Sequence, residues 1–130
     1  MEKKIIDVNF VNLCIHDINI YALDGKTLLC TVKPSGVVAR AQVTITETDH
    51  EYRVLNCGNV IVSDLELTYG KPENLPEPKD GDILLVSAAT ANAAKTHGRS
   101  IADIKVPGQG IRDPHGVIIG CKGVNSISSF

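Results

Sequence analysis

Only one stretch of this chain has helical character, residues 87–98, and it contains no Leu, Ile or Val. A helix whose buried face offers only methyl groups has to lie with its backbone close against its support, and it cannot cover both faces of a sheet. Five alanines supply the propensity, Ser87 is placed as N-cap, and Gly98 offers a left-handed stop after His97. The four apolar residues 83–86 precede it directly, a short continuous run of the kind found in a strand buried on both faces.

Everything before that point reads as β-structure. Residues 18–21 and 27–32 are β-prone and flank Asp24-Gly25, which predicts a hairpin. Upstream, the two-residue alternation changes phase at His16-Asp17, which predicts a bulge or bend. Val37, Ala39, Ala41, Val43 and Ile45 alternate with polar residues, so Arg40 is expected on the polar side of that strand. Residues 47–51 read as a loop, followed by a strand pair at 52–55 and 60–62. Residues 70–81 hold Pro72, Pro76 and Pro78 and read as an extended strap over the surface. Beyond the helix, 102–106 is expected to be extended, 107–110 a turn, 113–116 a second turn, 117–121 a final strand and 125–130 a frayed tail. The expectation is one α+β domain over residues 1–130: a mainly antiparallel sheet or partly closed barrel with one short Ala-rich helix, and a homo-oligomer because so much sheet is left uncovered.

Charge and cysteine placement narrow the function classes. Thirteen basic and fifteen acidic side chains leave a net charge of −2, which argues against a nucleic-acid polymer as partner. Residues 81–130, with five basic and three acidic groups, carry a small positive excess that suits a small anion. Cys14, Cys30, Cys57 and Cys121 are widely spaced and lack zinc-finger spacing; they are expected to be reduced thiols in the core of a cytosolic protein. No run has signal or membrane-span length, and no metal or cofactor is expected.

The best candidate for chemistry is the passage from the buried strand into the helix. Helix-start N–H groups favour an anion, Ser87, Ala88 and Thr90 leave room for one, and Asn92 adds an amide. Lys95, Arg99 and Arg112 suit phosphate, Asp103 and Asp113 suit sugar hydroxyls or the orientation of an arginine, and Arg40 joins from the sheet. The competing reading makes Ser87 a plain cap and Asp113 the cap of its own turn. No nucleophile elbow, zinc-protease motif or activated Cys–His pair is present, so no catalytic residue is assigned.

Asn12-Leu13 with residues 16–20, the 34–40 segment Pro-Ser-Gly-Val-Val-Ala-Arg, residues 75–78, Val86-Ser87-Ala88, Val106-Pro107-Gly108, Arg112-Asp113 with Gly116, and the 118–121 segment together resemble a family of small proteins encoded in phage and prophage genomes. The chain departs from that pattern at Cys14-Ile15, where Thr-Pro is common, and in a helix richer in Ala and Asn. The resemblance implies a phage-encoded binding protein of anti-defence type that sequesters a small anionic, nucleotide-derived signal without cleaving it. The alternatives are a structural or virion-accessory protein without a small ligand, and a metal-independent hydrolase of a nucleotide-like ligand.

Overall fold

The computed structural model describes residues 3–127. Eight strands and one helix follow one another as β1 (Asn9–Asn12), β2 (Ile18–Tyr21), β3 (Leu28–Val32), β4 (Arg40–Val54), β5 (Val60–Glu73), β6 (Asp82–Leu85), α1 (Ala88–Thr96), β7 (Ile104–Arg112) and β8 (Ile118–Ser126). Six of them form one curled sheet in the order β1-β6-β7-β8-β2-β3, while β4 and β5 pair only with each other. The chain is therefore α+β with a partly closed sheet. Its three hairpins are antiparallel, but β1–β6, β6–β7 and β2–β8 run parallel, so the main sheet is mixed. The parallel β6–β7 pair needs a crossover connection, which α1 supplies.

Asn12 nearly closes the barrel. At the end of β1 it bridges to Pro34, just past β3, and its carbonyl accepts the N–H of Ser35. Its fully buried side chain donates through Nδ2 to the carbonyls of His16 and Val32, each at 2.9 Å, and Oδ1 accepts the N–H of Cys14 at 2.8 Å. The two sheet edges are thus joined at one residue, by a single backbone bridge and a side-chain amide, rather than by a ladder. The phase change seen in the sequence marks the bend that separates β1 from β2.

Alternation along β6 supplies both cores. Leu84 and Val86 pack with Leu13, Ala39, Ile104 and the methyls of Ala91 and Ala94 in a cluster beneath α1. Leu85 faces the other way and joins Ile18, Ile20 and Cys121, with Phe10 and Val32 beside them. That second cluster draws on both edge strands, so it occupies the interior of the curl. The expectation of a strand buried on both faces is met, and α1 packs through alanine methyls as its composition requires. Ser87 caps the helix by accepting the N–H of Thr90, and Gly98, at φ +78°, ends it after His97.

Several boundaries differ from the sequence reading. Residues 47–51 are not a loop but a register shift inside β4, which with β5 forms a hairpin arm of 15 and 14 residues. Consequently residues 70–73 belong to β5 and the Pro-rich strap is shorter. Residues 107–110 do not turn; they continue β7, because Gly108 accommodates a close approach of the partner strand that any Cβ would block, at 1.9 Å from the Lys122 carbonyl oxygen. Asn125 and Ser126 are in β8 and Ile127 packs against the core beneath α1, while the rest of the expected tail, residues 128–130, lies outside the described residues. Cys121 is buried and Cys14 half-buried, but Cys30 and Cys57 are exposed rather than core. Cys30 sits on β3, an edge strand without a layer over it, and Cys57 lies at the tip of the arm.

Candidate functional site

The residues singled out in the sequence fall into three separate places. The first is the start of α1. Thr90 is fully buried, its hydroxyl bonded to the Ala39 carbonyl at 3.2 Å and to Ser87 Oγ at 2.9 Å. This pair ties the first helical turn to Ala39, the residue before β4; Arg40, next in the chain and opposite Glu73 on β5, is exposed, as are Ser87 and Ala88. Asn92, one turn on, is exposed.

The second place is the far end of α1, about 13 Å away for nine helical residues. Here Arg99 forms a two-pronged pair with Asp103, Nη1 to Oδ1 at 2.6 Å and Nη2 to Oδ2 at 3.1 Å, with both side chains largely buried. The same guanidinium also donates to the carbonyls of Ser100 and Pro76. Its donors are therefore committed inside the chain, fastening the strap to the helix end, and Asp103 is the group that orients it. Lys95 lies half-buried in the last turn.

The third place is the β7–β8 turn. Arg112 lies five residues beyond Pro107, about 16 Å along an extended strand from the level of the helix start. Its Nη1 donates to the Gly116 carbonyl at 2.7 Å, and Asp113 Oδ1 accepts the N–H groups of His115 and Val117. Both side chains thus shape their own turn, and neither meets the helix start within one chain. Elsewhere, Asp17 bonds Lys33 at 2.8 Å rather than its neighbour His16, whereas Asp49 and His50 in β4 do pair, Oδ1 to Nδ1 at 2.9 Å.

What the fold does assemble is a cleft of about 370 Å³ between the outer face of α1 and the base of β5, lined by Tyr69, Gly70, Ala89, Asn92, Ala93, Thr96 and His97. The small floor comes from Ala89 and Ala93, and Gly70 keeps the wall open where a side chain would press on Gln42. Tyr69 contributes an aromatic ring, while Asn92 and Thr96 contribute an amide and a hydroxyl. The His97 ring lies 3.0 Å through Nδ1 from the Ala93 carbonyl, which fixes its orientation and leaves Nε2 available. Positions 89, 92, 93 and 96 follow the i, i+3, i+4, i+7 spacing of one helix face, a signal present in the sequence but not used beyond Asn92. Tyr69 carried no such signal, because its place beside α1 depends on the course of the arm.

A second, roomier hollow of about 560 Å³ lies along His16, Asn19, Pro107, Gly108, Ile118 and Ile119. Cys121, buried beneath it, has its thiol pushed up by burial, as does Cys14. Among the described residues no group of three or more His, Cys, Asp or Glu side chains is arranged to hold a metal ion, and no helix is long and apolar enough to cross a membrane. The chain matches no protein-family model, no curated protein and no solved structure.

Proposed function

We propose that this is a binding protein for a small anionic, nucleotide-like ligand, with the flat ring in the α1–β5 cleft and the phosphate toward Arg40 and the start of α1. The observation that carries the reading is the cleft itself: an aromatic ring, an amide, a hydroxyl and an imidazole around an alanine floor. Positive potential is supplied by the Ser87-Ala88 end of the helix and by Arg40, which follows directly on Ala39, whose carbonyl is bonded to the first helical turn. The lining is a set of donors, acceptors and a stacking surface, which suits recognition and release of an intact ligand. On the resemblance to small phage proteins, the biological role is sequestration of a nucleotide-derived defence signal in the host cytoplasm.

The test is a thermal-shift series with cyclic and linear adenosine and guanosine nucleotides, against sugar and dicarboxylate controls. Ligand at a hundred times its Kd stabilises the native state by about 2.7 kcal/mol, an upward shift on the order of 10 °C for a chain of this size. Arg40→Ala is expected to weaken binding at least about tenfold, the cost of one charge-assisted pair. No shift with any nucleotide refutes the assignment. A partner-binding role without a small ligand is the second reading, favoured by the long exposed arm.

A further inference from the structure

The β4–β5 arm is a two-stranded sheet with apolar side chains left in solvent. In the register of the hairpin, Val43 faces Tyr69, Ile45 faces Leu67 and Glu47 faces Leu65, so these side chains share one face of the basal half. Thr44, Thr68, Thr46 and Glu66 occupy the opposite face. Past the register shift between Glu47 and Glu51 the apolar pairs are Tyr52 with Val62 and Val54 with Val60. On β5, positions 60 and 62 differ in parity from 65, 67 and 69, so the apolar strip of the distal half lies on the opposite face. The exposed fractions run from 47% at Val62 to 63% at Ile45, and two-stranded ribbons of this kind are marginal alone in water.

We propose that the arm is a self-association surface, and that the occupant of its apolar strips is the arm of a second copy of this chain. Each arm carries one basal and one distal strip on opposite faces, so two arms that cross about a two-fold axis, each passing from one face of the other to its opposite face, lay the basal strip of each copy on the distal strip of the other. Such an arrangement is closed and self-complementary. A stable pair buries roughly 800 Å² per partner, and the eight half-exposed apolar side chains of the two strips offer an area of that order. The inference stands on the arm alone, although Tyr69 belongs both to this strip and to the cleft beside α1.

Sedimentation equilibrium of the full chain between about 1 and 100 µM tests it. The expected result is a dimer or a larger closed assembly that Leu67→Asp and Val62→Asp each convert to monomer, while Thr68→Asp, on the polar face at the same level, leaves it unchanged. Far-UV circular dichroism checks that the variants remain folded. Hydrogen exchange of the unmodified chain supplies a readout free of substitutions, since the amides of β4 and β5 are expected to gain protection as concentration rises. A monomer at 100 µM overturns the proposal, as does an assembly that both Asp variants leave intact or arm amides whose exchange is independent of concentration.

Discussion

Removing the Asn12 amide should loosen the whole barrel, because that one side chain satisfies three backbone groups, two in the β1–β2 bend and one at the end of β3. Asn12→Ala leaves the His16 and Val32 carbonyls and the Cys14 N–H without their partner in a place where Asn12 itself is 1% exposed. Each buried backbone group left unpaired costs about 1–3 kcal/mol, and water entering the vacated space returns part of this, which gives a loss of about 3–5 kcal/mol. Against a typical total of about 5–15 kcal/mol, that is a third or more of the stability. Asn12→Asp separates donation from acceptance. The introduced carboxylate still accepts the Cys14 N–H but sets a negative charge against two carbonyl oxygens, so its pKa in the folded state is raised above the unfolded value near 3.9. A raised folded pKa means that stability is retained below about pH 4 and lost as pH rises toward the folded value, at up to about 1.4 kcal/mol per unit. Urea titration followed by far-UV circular dichroism suits a chain without Trp; with a slope of about 1.5 kcal/mol per molar, Asn12→Ala moves the midpoint down by about 2–3 M. A loss below about 1 kcal/mol, or an Asn12→Asp variant whose deficit relative to the parent does not shrink on acidification, refutes the account of Asn12 as the closure of the barrel.

Gly108→Ala drives a Cβ into the Lys122 carbonyl and should cost about 3 kcal/mol or more, whereas Gly110→Ala, whose Cβ meets only the Ile118 side chain at 3.8 Å, should lie within about 1 kcal/mol of the parent; the same urea titration decides. Arg99→Ala should destabilise the fold by about 3 kcal/mol or more by leaving the largely buried Asp103 carboxylate unpaired, and nucleotide affinity should stay within about twofold when measured by calorimetry on the folded fraction. Native protein treated with a chromogenic disulfide should show two fast thiols, Cys30 and Cys57, and two slow ones; burial lifts the pKa of Cys14 and Cys121 and limits access, so peptide mapping that finds either among the fast pair contradicts the structure.

Local chemistry alone settles the elements whose shape is decided within a few residues. The Asp24-Gly25 turn is one: Asp24 accepts the N–H groups of Lys26 and Thr27, which holds its carboxyl below its ordinary pKa, and Gly25 takes φ +73°. The helix is another, since Ser87, five alanines and Gly98 specify its start, its length and its stop within a dozen positions. The apolar run at 83–86 likewise announces a strand with two buried faces. Polarity and turn propensity misled where a distant strand overrode them. Glu47-Thr48-Asp49 looks like a loop but is an irregularity within β4, because the ladder with β5 resumes on both sides of it, and Pro107-Gly108 looks like a turn but extends β7, because β8 approaches close enough to need the missing Cβ. The candidate site was legible only in part for the same reason. Ser87, Thr90 and Asn92 are near neighbours on one helix, so their proximity follows from the helical repeat. Arg99 and Arg112 were grouped with them by charge, yet nine helical residues at about 1.5 Å each carry Arg99 to the far end of α1, five strand residues at about 3.3 Å each carry Arg112 to the β7–β8 turn, and Tyr69 arrives at the cleft from a different sheet. Spacing in sequence measures distance along one element; which elements meet is decided by the faces they bury, and that is a property of the folded chain.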